Sequence, residues 1–116
     1  MGKTKRTIPT IYPVRISTYA INNIEEITDY IAFSMHEPQN AVAVGDSIFK
    51  TIDKIGLNPF AYKECDELPT KSKMYRRALC LSWNIIYKIT TNEIVILAII
   101  HTSRKPSTIK SLRVIR

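Results

Sequence analysis

The sequence predicts an α+β domain: an N-terminal strand, an α-helical hairpin packed on one face of a small antiparallel sheet, and a C-terminal three-stranded meander completing that sheet. Three observations carry this reading. From Ala20 to Ile55 apolar residues recur every three or four positions, the helical period, whereas residues 74–100 alternate or run apolar in strand fashion. Glu37-Pro38 interrupts the helical stretch, because proline lacks an amide hydrogen and restricts the residue before it. Finally, 116 residues with 45% apolar and 23% charged content suit a single hydrophobic core.

Residues 1–11 are polar and basic without periodicity, which predicts a loosely ordered N-terminal arm. Residues 12–17 place Tyr12, Val14 and Ile16 on one face and Arg15 on the other, a short strand. In the first helix Ala20, Ile24, Ile27, Ile31 and Met35 form one stripe, with Glu25, Glu26 and Asp29 off it. Thr18 can cap this helix, and Asn22 with Glu25 offers a competing capping box. Pro38 suits the first turn of a second helix with its stripe at Ala41, Gly45, Ile48, Ile52 and Ile55. Gly56 stands where a left-handed cap would end that helix, and Pro59 prevents its resumption. Residues 57–73 read as a long polar connection.

The meander comprises residues 74–81, 83–90 and 93–100, with Thr91-Asn92 as a hairpin turn. Strict alternation in the last strand points Ile94, Ile96, Ala98 and Ile100 one way and Val95, Leu97 and Ile99 the other. Both faces are apolar, so this strand belongs in the middle of the sheet. The hairpin can cover one face alone. The other needs a loop, the tail or another chain, and the reading favours another chain. The main domain is thus placed at residues 12–106, followed by a basic tail at 107–116 in which Ile109, Leu112 and Ile115 keep helical spacing.

The net charge is +7, but it is unevenly spread: residues 22–67 hold nine of the ten acids against three bases, while the remainder carries fourteen bases against Glu93. Segregated cations imply an anionic partner, since neutralised phosphates release their counterions. A solubilising surface is the bland alternative. Cys65 and Cys80 lack the spacing of a zinc site or a disulfide framework and read as reduced thiols, so neither a metal nor a small-molecule cofactor is expected. Residues 94–100 form the longest apolar run, far short of the ~20 residues that span a membrane, and no secretory apolar region opens the chain. The expected location is the cytoplasm, away from membranes. Gly2-Lys3-Thr4 lacks the upstream glycine and strand of a phosphate-binding loop, and Arg6 stands where a myristoylation signal needs Ser or Thr.

The order strand, helical hairpin, connection and meander resembles the RelE/ParE superfamily of bacterial type II toxins. Ala-Ile-Asn-Asn-Ile-Glu-Glu-Ile-Thr-Asp-Tyr-Ile at residues 20–31 resembles its first helix. Tyr75-Arg76-Arg77 and Trp83-Asn84-Ile85-Ile86-Tyr87-Lys88-Ile89 resemble its arginine and tyrosine strands, and residues 94–104 resemble its last strand with the His-x-x-Arg ending. The resemblance covers roughly residues 12–106. It implies a toxin that a cognate acidic antitoxin neutralises. Two activities occur on this fold: ribosome-dependent cleavage of messenger RNA, and non-enzymatic poisoning of DNA gyrase.

The first activity is the leading expectation, with the gyrase poison and an inactive antitoxin-binding relative as alternatives. Cleavage at a 2′-hydroxyl needs a base, an acid and cations around the phosphorane. The residues offered for that chemistry are Arg76, Arg77, Tyr87, His101 and Arg104, with Lys71, Lys73, Arg76 and Lys105 contacting nucleic acid. Strand alternation puts Arg76 and Arg77 on opposite faces, so both cannot serve one groove, and Arg76 is favoured. Tyr87 is either a core tyrosine with a satisfied hydroxyl or a base-stacking and proton-transfer group. His101 ends a strand, where either chemistry or a structural hydrogen bond is open to it. Trp83 reads as core.

Overall fold

The computed structural model describes residues 12–116, so the predicted arm at 1–11 lies outside the described residues. Strand β1 (Val14–Ile16) leads into helix α1 (Thr18–Asp29), which widens into a π-helical turn at Tyr30–Ser34. Helix α2 (Pro38–Leu57) and a 3-10 turn at Pro59–Ala61 follow. A two-residue strand β2 (Lys63–Glu64) precedes the meander β3 (Tyr75–Cys80), β4 (Trp83–Ile89) and β5 (Ile94–His101). The tail folds as helix α3 (Pro106–Lys110) and a 3-10 turn at Ser111–Val114. Among these described elements, no helix is long and apolar enough to cross a membrane.

The sheet order is β1-β5-β4-β3-β2, which makes β5 central as its two apolar faces require. Neighbours within the meander are antiparallel, but β1 runs parallel to β5, with Val14 beside Ile94 and Ile16 beside Ile96. The sheet is therefore mixed. The connection between them contains the helical hairpin, and such a crossover is what parallel pairing demands. Strand β2 is absent from the sequence reading because two polar residues carry no periodicity.

A bulge corrects the face assignment of β5. Tyr87 pairs with Ile96 and Ile86 with Ala98, so Leu97 is an extra residue and the alternation slips by one. Ile94, Ile96 and Ile99 face the hairpin, while Val95, Leu97, Ala98 and Ile100 face the other way. Helix α1 satisfies the backbone that β1 is too short to reach. Ser17, 2% exposed, donates from Oγ to the Leu97 carbonyl at 3.0 Å and accepts from the Ala20 amide at 3.0 Å. Asn23 Oδ1 accepts from the Ile99 amide at 3.0 Å. Ser17, and neither Thr18 nor Asn22, is thus the cap of α1.

The hairpin buries Ala20, Ile24, Ile31, Ala41, Val44, Ile48, Ile52 and Ile55. The π turn inserts one residue into the helical count, and Met35 consequently leaves the stripe to stand 47% exposed. His36 closes the turn with φ 57, and the Glu37 amide donates back to the Ile31 carbonyl at 3.0 Å. Gly56 does not cap α2 with a left-handed residue, since the helix continues to Leu57. Its role is close approach: a Cβ there would lie 2.9 Å from Val14 Cγ2. Opposite the hairpin, Cys65, Leu68, Ile109 and Leu112 cover Tyr75, Ile86, Leu97 and Ile100. The loop and tail, not another chain, supply that cover.

Candidate functional site

Arg76 and Tyr87 are cross-strand neighbours, and both are committed to the segment after α2. The Arg76 guanidinium donates from Nε to the Lys73 carbonyl at 2.9 Å and from one terminal nitrogen to Tyr62 O at 2.9 Å and Phe60 O at 3.4 Å. It also lies 5.4 Å from the Phe60 ring centroid, within cation–π range. Tyr87 is fully buried, and its hydroxyl donates to the Pro59 carbonyl at 2.6 Å. Burial raises the Tyr87 pKa, against a smaller opposing effect of Arg76, so its phenol holds its proton more firmly than a free tyrosine. Together the pair staple residues 59–62 onto the sheet.

Arg77 lies on the opposite sheet face, aligned with Lys63 and Ile86, as alternation required. Lys71 and Lys73 are exposed on the turn before β3, and Lys73 takes φ 55. Lys105 is exposed at the N-cap position of α3.

His101 and Arg104 sit at the other end of the meander. His101 pairs with Trp83 across the sheet, its ring edge-on to the indole at 5.8 Å, and its Nδ1 lies 2.8 Å from Ser103 Oγ. The Arg104 amide donates to the His101 carbonyl at 3.0 Å, which folds the His-x-x-Arg ending into a tight turn. Tyr87 pairs with Ile96 and Trp83 with His101, so the two pairs lie four steps apart along β4, roughly 13 Å at the strand rise. The structure therefore brings Arg76 to Tyr87 and His101 to Arg104, but does not bring the two pairs together.

His101 and Arg104 instead border a groove of about 640 Å³ between the helical hairpin and the ends of β4 and β5. Tyr19, Tyr30, Met35, Leu81 and Trp83 give it apolar walls, with Asn23, Glu26 and Asn40 among its polar groups. Leu81 adopts φ 55, a conformation a bulky residue rarely takes outside a constrained turn. The sequence reading missed this groove. The available signal was Tyr30, an aromatic residue off the buried stripe of its helix, now 61% exposed.

Residues 14–106 match the model of the ParE toxin of the type II toxin–antitoxin system parDE. The chain belongs to the ParE toxin family. Two solved structures share its fold. The chromosomal ParDE system from P. aeruginosa has a chain 14% identical with a TM-score of 0.64, covering 78% of this chain and 96% of that one. The toxin–antitoxin complex RelBE2 from Mycobacterium tuberculosis has one 19% identical with a TM-score of 0.50, covering 79% and 99%. No curated protein matches the chain in sequence. The family match ends at residue 106, just where α3 begins, so the tail that completes the second core lies outside it.

Proposed function

We propose that this ParE-family toxin arrests growth by binding and poisoning DNA gyrase rather than by cutting messenger RNA, and that a cognate acidic antitoxin holds it silent. The observation that carries the reading is the separation of the residues offered for RNA cleavage. A general acid and base must reach the reacting atoms within about 3 Å, directly or through one water. Tyr87 is sealed in the core with its hydroxyl engaged, Arg76 gives Nε and one terminal nitrogen to three backbone carbonyls, and Arg77 faces away. A toxin that works by docking needs no such cluster. What it needs is exposed apolar surface, and Tyr30 at 61% and Met35 at 47% supply it on the groove walls. An antitoxin finds there both apolar walls and the cation of Arg104.

The test is induction in cells with two parallel readouts, translation rate and DNA damage, followed by purified gyrase. Chromosome breakage before any fall in translation, and loss of supercoiling by gyrase in vitro, are the expected results. Early translation arrest with discrete messenger cleavage, relieved by His101→Ala while folding is intact, overturns the proposal in favour of the ribonuclease.

A further inference from the structure

Strand β3 ends at Cys80, β4 begins at Trp83, and these two residues are paired, so the connection between them is only Leu81 and Ser82. Two-residue hairpin loops favour turns with positive φ at one or both central positions, which is why Gly, Asn and Asp dominate there. Leu81 holds φ 55 with a bulky side chain, against the steric preference of such residues. That side chain is also 58% exposed, so burial within the free chain offsets little of the strain. The turn is nonetheless pinned, because the Thr102 amide donates to the Ser82 carbonyl at 2.9 Å. Leu81 lines the groove beside Trp83, with Tyr30 and Met35 on the hairpin side. Toward the tail Arg104 enters the lining, and among the described residues the one ion pair is Arg15 with Glu93, which leaves Arg104 without an internal carboxylate.

We propose that Leu81 is kept in this strained conformation as a specificity-determining contact for the antitoxin: with Trp83 it receives a large apolar side chain of an antitoxin segment that sets a carboxylate against Arg104. Charge selects the class of occupant. Glu26 stands in the same lining, where it repels a run of phosphates, whereas a polypeptide can present one carboxylate to Arg104 and apolar groups elsewhere. Strain held at a recognition site trades folding stability for a side chain already placed to bind. Such a contact presupposes the cognate antitoxin of the function proposed above, but neither gyrase nor messenger RNA as the target.

The experiment reads the full chain in two ways, by denaturant titration of the free protein and by calorimetric titration with the purified cognate antitoxin. Leu81→Asn, which tolerates positive φ, should raise the unfolding midpoint yet weaken antitoxin binding about tenfold, the effect of no longer burying the exposed half of one leucine side chain. Leu81→Gly should lose the same affinity with a midpoint no lower than that of the wild type. Arg104→Gln should also weaken binding, by a factor that shrinks as salt is raised. Leu57→Asn is the control: that residue is equally exposed, at 58%, and lies off the groove, so its substitution should leave the affinity unchanged. A wild-type chain that fails to bind the antitoxin overturns the proposed partner and this contact together. Wild-type binding that Leu81→Asn leaves intact, an equal loss in Leu57→Asn, or a midpoint lowered by Leu81→Asn overturns the contact alone. So does a free chain that dimerises and that Leu81→Asn makes monomeric, since a second copy then fills the groove.

Discussion

Tyr87 shows how one buried hydroxyl decides between chemistry and architecture. Its bond to the Pro59 carbonyl is short, and no solvent reaches either group, so removing the donor leaves a buried acceptor unsatisfied. Tyr87→Phe should therefore cost about 1–3 kcal/mol of folding stability, read by denaturant titration, while leaving growth inhibition in place wherever the protein still folds. A catalytic tyrosine would give the reverse: an unchanged midpoint and a lost activity. Cys65 supplies a second test at this scale. Burial first, and then the nearby Glu67 carboxylate, push its thiol from the ordinary 9.0 up to about 11. A raised pKa in the folded state means that the unfolded chain ionises first. Stability is whole below pH 9 and falls as pH rises toward 11, and Cys65→Ala should remove part of that alkaline loss. In the native protein Cys65 should also alkylate more slowly than an exposed thiol at pH 8.

At the scale of elements, Ser17 joins α1 to β5 through two bonds made by one hydroxyl. Ser17→Ala removes a helix cap and strands the Leu97 carbonyl at the bulge, so the expected cost is about 2 kcal/mol, the upper end for a cap, measured as a shift in the unfolding midpoint. Ser17→Thr keeps the oxygen and should recover much of it. The helices, the meander and the central place of β5 could all be read from the chain because their periods are properties of local sequence, repeated over many residues. Ile48, Ile52 and Ile55 declare a helical face by spacing alone. The bulge at Leu97 could not be read, because a run of apolar residues gives no mark where alternation slips, and what holds the slip is a serine 80 positions away. Nor could the parallel pairing of β1, which depends on where the crossover returns the chain. The candidate site divides in the same way. Alternation placed Arg76 and Arg77 on opposite faces, but the four strand steps, roughly 13 Å, between the Tyr87 and His101 pairs follow from register, which no single strand contains.

For the molecule as a whole, the question is whether its second sheet face is finished by its own tail or waits for a partner. Leu112 is 1% exposed and Ile109 5%, and both lie in the cluster with Leu97, Ala98 and Ile100. Burying one such side chain contributes roughly 1.5–3 kcal/mol, and a domain of this size has only about 5–15 kcal/mol in hand. If the tail completes the core, Leu112→Ala should lower the stability of the isolated chain by about 2–5 kcal/mol, and a chain ending at residue 104 should aggregate through the exposed face of β5. Val114→Ala, at a residue 78% exposed in the same tail, should be close to neutral and separates burial from any general effect of altering the terminus. Denaturant titration of the purified protein without antitoxin decides it. A stability unaffected by Leu112→Ala would mean that the tail leaves the sheet in the free toxin, and that the face it covers belongs to a binding partner after all.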